Sequence, residues 1–158
     1  LEMGLNLGFT YKNFDFNAYA FASLGHELVR DYERKDLYAN RGTYMVERWQ
    51  GSGTSNSNPR AVSGANINTD QFSDFHVEDA SFLRLQNVQL GYDFTSLLNE
   101  DLGIKKLRFY VSGNNLFTLT DYKGYDPSAN TGAALGGGID KGFYPVAKTY
   151  LLGINLDF

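Results

Sequence analysis

Apolar and polar residues take turns, one for one, over five stretches of this chain, the spacing of strands with two unlike faces. In residues 148–158 Tyr150, Leu152, Ile154, Leu156 and Phe158 share one face, while Thr149, Leu151, Gly153, Asn155 and Asp157 share the other. Residues 5–11 set Leu5, Leu7, Phe9 and Tyr11 against Asn6, Gly8 and Thr10, and Lys12-Asn13 makes a tight connection. Residues 14–24 resume with Phe14, Phe16, Ala18, Ala20 and Ala22 opposite Asp15, Asn17, Tyr19, Phe21 and Ser23, which predicts a hairpin. Residues 107–118 place Leu107, Phe109, Val111, Gly113 and Phe117 on one side and Arg108, Tyr110, Ser112 and Asn114 on the other. In residues 82–94 the pattern slips: Val88, Leu90 and Tyr92 have one parity, Leu83 and Leu85 the opposite. A bulge near Gln86-Asn87 or a segment standing above the membrane on a barrel rim would each explain the slip. We favour the rim, because strict parity would otherwise turn Arg84 into acyl chains at a cost of roughly 2–4 kcal/mol.

The connections alternate in length. Lys12-Asn13 and Thr95 to Lys106 are short; residues 25–79 and 119–147 are long and lose the alternation. Gly51-Ser-Gly-Thr-Ser-Asn-Ser-Asn-Pro59 has the composition of exposed turns, and a short helix is expected around Leu37 to Trp49. Strands of about 9–11 residues with one apolar face, short turns at one end and long loops at the other describe a transmembrane β-barrel. The expected fold is all-β and antiparallel, with the long loops extracellular and the C-terminus periplasmic. Tyr11, Phe14, Tyr92, Phe109 and Phe158 then gather near one interface as an aromatic girdle.

Composition agrees with this reading. The 158 residues are 42% hydrophobic and 15% aromatic with 17 Gly, yet the mean hydropathy is negative. No apolar run reaches the roughly 18–20 residues of a membrane helix. A net charge of -4 leaves no basic face for nucleic acid. The absence of Cys rules out disulfides and thiolate chemistry. Five strands cannot close a wall, since an open sheet strands two rows of backbone groups in lipid. The chain is therefore expected to be the C-terminal part of a larger barrel. Two other readings remain open: an adhesin-like structural barrel that completes its wall by oligomerising, and a soluble β-sandwich, which the apolar outer face disfavours.

Several stretches resemble the C-terminal region of the SusC/RagA-type TonB-dependent transporters of Bacteroidetes outer membranes. They are Val77-Glu-Asp-Ala-Ser-Phe-Leu-Arg-Leu-Gln-Asn-Val88 with Leu90-Gly-Tyr92, Leu107-Arg-Phe-Tyr-Val-Ser-Gly-Asn-Asn-Leu-Phe-Thr118, Tyr122-Lys-Gly-Tyr-Asp-Pro127, Gly137-Gly-Ile-Asp140 and Leu152-Gly-Ile-Asn-Leu-Asp-Phe158. Weaker similarity runs upstream through Leu7 to Phe16 and the Glu47-Arg-Trp49 loop. The resemblance implies a parent barrel of about 22 strands with a plugged lumen. It also implies a SusD-like surface lipoprotein partner, TonB as the energy source and uptake of glycans or peptides. On that reading residues 1–158 form a five-strand segment without the plug, the TonB-binding segment or the earlier strands. TonB would act through that missing N-terminal part.

The candidate chemistry is sparse, and neither a cofactor nor catalysis is expected. Gly136-Gly-Gly-Ile-Asp140 lacks the Lys-Ser/Thr of a phosphate loop. His26 and His76 lack paired metal-ligand spacing, and Glu78, Asp79, Asp126 and Asp140 form no calcium loop. Ser112 forms no nucleophile elbow. Trp49, Tyr122, Tyr125, Phe143 and Tyr144 sit in the long loops, where aromatic faces suit a sugar ring or a partner surface. Phe158, an aromatic ending an alternating strand, resembles an outer-membrane assembly signal. Asn6, Thr10, Asp15, Asn17, Arg108, Tyr110, Ser112, Asn114, Asn155 and Asp157 are expected to line the lumen, against the plug or the water path.

Overall fold

A computed structural model describes residues 1–32, 42–62, 71–98, 103–130 and 137–158. Among the described residues eight strands appear in chain order: β1 (Glu2–Tyr11), β2 (Phe14–Ser23), β3 (Glu27–Arg30), β4 (Val77–Asp79), β5 (Phe82–Asp93), β6 (Lys106–Thr120), β7 (Ile139–Asp140) and β8 (Thr149–Asp157). They form two sheets in two units, Leu1–His26 with Ala80–Asp121 and Pro145–Phe158, and Glu27–Asp79 with Tyr122–Tyr144.

In the first unit β1-β2-β5-β6-β8 pair antiparallel in chain order. All five expected strands are present, and the alternation sets their faces. Lys12 at φ 53 closes the first hairpin tightly enough for Tyr11 to pair with Phe14. The apolar face is bare: Leu5 is 62% exposed, Leu152 88% and Ile154 60%, so no second layer among the described residues covers it. That observation removes the sandwich reading, because a sandwich buries such a face against its other sheet. At the short-turn end the rings of Phe14 and Tyr92 (4.6 Å), Tyr92 and Phe94 (4.5 Å) and Phe94 and Phe109 (5.3 Å) touch in series. Phe94, outside the expected girdle, is the ring that joins them.

The parity slip in β5 is a bulge, and the rim reading is corrected. Tyr19 pairs with Asn87 while Ala20 pairs with Leu85, so Gln86 is an extra residue. One strand further on, Asn87 pairs with Asn114 and Leu85 with Phe117, leaving Asn115 and Leu116 opposite Gln86 alone. Asn115 takes up the distortion at φ 52, a region that Asn tolerates better than most residues. The intervening count thus rises from none in β2 to one in β5 and two in β6. Its effect is to bring Leu83 and Leu85 onto the apolar face beside Ala22 and Ala20, and to turn Arg84 to the polar face beside Phe21.

The second unit replaces the structureless loop expected for residues 25–79. β3 pairs antiparallel with β4 and parallel with β7, giving a small sheet in the order β4-β3-β7. The helix expected around Leu37 to Trp49 is a 3-10 turn over Thr43–Glu47 in its described part; residues 33–41 lie outside the described residues. Strands of two to four residues carry too little alternation to be recognised, and their partners are distant in sequence.

Candidate functional site

The polar face of the five-stranded sheet is built in rows. Because every pairing in this sheet is antiparallel and unshifted on the short-turn side of the bulge, one residue from each strand falls in each row there. Thr10, Asp15, Gly91, Tyr110 and Gly153 form the row near the short turns; Gly8, Asn17, Gln89, Ser112 and Leu151 the next; Asn6, Tyr19, Asn87, Asn114 and Thr149 the one above. Strict alternation thus brings Asn6, Thr10, Asp15, Asn17, Tyr110, Ser112 and Asn114 to one surface, with Arg108 and Asn155 paired one row nearer the turns and Lys106 opposite Asp157 below them.

Glycines on this face are seats for neighbouring side chains. Arg108 donates from Nε to Asp15 Oδ2 at 2.8 Å and from Nη2 to Asp15 Oδ1, a bidentate pair joining β6 to β2 across the whole width of β5. The bridge passes over Gly91, where any Cβ would overlap the Asp15 carboxylate and the Arg108 guanidinium. Tyr110 lies over Gly153, Tyr19 over Gly4 and Asn17 over Gly8 in the same manner. Higher up, Arg84 is 5% exposed, donates from Nε to Thr118 Oγ1 at 2.9 Å and stands 5.0 Å from the Phe82 ring. Between these charged levels Asn87 Nδ2 donates to Asn114 Oδ1 (2.7 Å) and Asn114 Nδ2 to Thr149 Oγ1 (3.1 Å). At the short-turn end an open cleft of about 540 Å³ is lined by Lys12, Asp15, Asp93, Thr95, Lys106 and Arg108 among others.

The second unit is held by two buried polar knots. Arg30 is 9% exposed, donates from Nη1 to Glu78 Oε1 at 2.8 Å and is flanked by the Tyr44 and Phe75 rings at 5.0 and 5.1 Å. Asp140, 1% exposed, accepts from the Tyr122 hydroxyl at 2.7 Å and from the Gly142 backbone N–H at 2.8 Å. Burial, then the Asp140 carboxylate beside it, pushes the Tyr122 phenol well above its ordinary value. The two motifs Tyr122 to Pro127 and Gly137 to Asp140 are therefore in contact, and they fasten both ends of one loop. Asp126 closes its own turn by accepting from the Ser128 backbone N–H at 2.9 Å.

The five aromatic candidates separate. Tyr144 is 94% exposed, Tyr125 72% and Trp49 41%; Phe143 is half-buried and Tyr122 buried. Trp49 is positioned through its backbone, its N–H donating to the Asn58 carbonyl at 3.0 Å. Tyr125 rests near Tyr32, with ring centroids 6.4 Å apart. Among the described residues no three His, Asp or Glu side chains gather to hold a metal ion. The sequence reading missed Arg84, Arg30 and the Tyr122–Asp140 contact. Arg84 was legible as a charge that parity placed on the wrong side; the other two join residues 48 and 18 positions apart and leave no periodic trace.

No family model matches the chain. TonB-dependent receptor SusC of Bacteroides thetaiotaomicron is 35% identical over 160 residues, spanning 99% of this chain and 15% of that receptor. TonB-dependent receptor P3 of Formosa agariphila is 34% identical over 165 residues, 99% of this chain and 16% of its own length. Among solved structures, the RagAB peptide importer in its open-open state superposes with a TM-score of 0.78 and 30% identity over 99% of this chain and 17% of the matched chain. This chain is the C-terminal region of a SusC/RagA-type TonB-dependent receptor. As a SusC/RagA-type segment, its five-stranded sheet is one stretch of a larger outer-membrane barrel wall, with one bare apolar face and one row-built polar face. The relatives are named as receptors and an importer, and the chain covers about one sixth of their length.

Proposed function

We propose that this segment, residues 1–158, serves as the last five wall strands and two external loops of a TonB-dependent importer that takes up glycans or peptides with a SusD-like surface lipoprotein. The observation that carries the reading is a sheet with one bare apolar face, in a chain that superposes on the RagAB importer over 99% of this chain's own residues. The short turns then lie in the periplasm together with the end of β8. TonB and the plug engage parts of the protein beyond these residues.

Trp49, Tyr125, Phe143 and Tyr144 are the proposed contacts for the lipoprotein or the arriving substrate, since three of them are exposed and all belong to a unit with its own buried knots. Tyr122 serves them from beneath as a positioning residue. Phe158 is proposed as part of the assembly signal at the end of β8. Single cysteines introduced at Ser52 and at Tyr144 of the full-length receptor test the contact. Cross-linking to the co-expressed lipoprotein is expected at both positions, and labelling that ignores the partner's presence would refute the assignment.

A further inference from the structure

At the short-turn end the five-stranded sheet sorts its charges between its two faces. Asp15, Asp93 and Asp157 have the parity of the polar face, where Arg108 bridges Asp15 and Lys106 stands opposite Asp157. The apolar face ends on cations instead. Lys12 closes the first hairpin and holds its Nζ 5.5 Å from the centroid of the Tyr11 ring, which belongs to that face. Lys105 has the parity of Leu107 and Phe109; its backbone N–H donates to the Asp157 carbonyl at 2.8 Å and its Nζ to the Phe158 backbone oxygen at 2.9 Å. Both lysines are exposed, and among the described residues neither forms an ion pair with a side-chain carboxylate. The touching rings of Phe14, Tyr92, Phe94 and Phe109 lie between them, and Asn13 Nδ2 donates to Ser96 Oγ at 2.8 Å beyond the rings. Two to three strand spacings separate the lysines, a strip roughly 10–15 Å wide.

We propose that this edge of the apolar face binds the headgroup of an anionic glycerophospholipid in the leaflet at the short-turn end, with Lys12 and Lys105 on the phosphate and the ring strip against the acyl chains. The inference rests on the reading of the sheet as barrel wall and adds a lipid preference to it. Aromatic rings settle at the boundary between acyl chains and headgroups. A lysine beside them keeps its methylenes on apolar surface while its ammonium reaches the phosphate level. There a phosphodiester oxygen is a charge-assisted acceptor. A headgroup with net negative charge complements both lysines, whereas a zwitterionic one carries an ammonium that they repel. Because the carboxylates of this end stand on the other face, nothing on the apolar side among the described residues offsets the two charges.

The test uses the full-length receptor in neutral detergent, mixed with equal amounts of phosphatidylglycerol and phosphatidylcholine of identical acyl chains, and counts retained lipid by native mass spectrometry. Heat-modifiable migration verifies that each variant barrel is folded. The unaltered receptor is expected to retain phosphatidylglycerol in preference. K12Q/K105Q should cut that preference about twentyfold, each lysine near an anionic headgroup being worth a factor of about five. K12R/K105R, which keeps both charges, should preserve it, as should K123Q/K141Q, which removes two exposed lysines of the second unit. An unchanged preference in folded K12Q/K105Q overturns the proposal. So does an equal fall in K123Q/K141Q, which would reduce the effect to net charge, or displacement of the lipid by millimolar inorganic phosphate, which would make the site one for a free anion. Equal retention of both lipids by the unaltered receptor defeats the proposal and leaves the wall reading standing; retention of neither counts against both.

Discussion

Asp140 shows how one buried carboxylate can hold a loop of more than twenty residues. Its acceptors are filled by a hydroxyl from one end of the loop and by backbone N–H groups at the other. Replacing it with Ala removes the acceptor of the Tyr122 hydroxyl and of the Gly142 and Phe143 N–H groups together, whereas Tyr122→Phe removes one of those three bonds, each bond to the charged group being worth about 1.5–3 kcal/mol. Asp140→Ala should therefore open residues 122–130 and 137–144 to limited proteolysis more than Tyr122→Phe does; unchanged protection in Asp140→Ala would contradict this role. The raised phenol gives the knot a pH limit as well. Tyr122 stays neutral when folded, so its contribution is complete below the unfolded value near 10 and falls as pH rises beyond it. Protection of the described loop amides, taken relative to their base-catalysed intrinsic exchange, should hold at pH 8 and fall above pH 10, a fall that Tyr122→Phe should lack.

At the scale of elements, the long strands were legible and the bulge was not. β1, β2, β6 and β8 follow from alternation alone, because lipid on one side and water on the other leave no freedom of face. In β5 the same rule broke at Gln86, and the cost of Arg84 in lipid pointed to a rim, although an extra residue satisfies the same constraint. A bulge depends on pairing with two neighbours, which a single segment does not display. Deleting Gln86 should force the choice again: with the slip removed, Arg84 turns to the acyl chains and Leu83 and Leu85 to the lumen. The expected result is a marked fall in folded barrel, set against little change for Gln86→Ala, read by heat-modifiable migration. A deletion variant that assembles normally would show that Arg84 can be accommodated from either face. The short strands β3, β4 and β7 escaped notice for a related reason, since their hydrogen-bonding partners are up to about a hundred residues away.

For the molecule as a whole, the candidate site was legible as two surfaces and illegible in its fine assignment. Alternation sorted the polar residues onto one face of the sheet, but nothing in the spacing distinguished Tyr122, which is buried, from Tyr125, which is not. Exposure of an aromatic in a loop is decided by contacts such as that of Tyr122 with Asp140. At the far end of the chain, deletion of Phe158 from the full-length receptor should lower the amount of folded barrel in the outer membrane; an undiminished heat-modifiable band would dismiss its role in assembly. The bridge between Asp15 and Arg108 bears on the same process. Its two halves belong to strands that never pair with each other, and they meet only over the bare backbone of Gly91. A slip of one residue in either strand would point one charge into lipid and leave its mate alone. The contact thus acts as a checksum on the wall, satisfied only when three consecutive strands have zipped up in step.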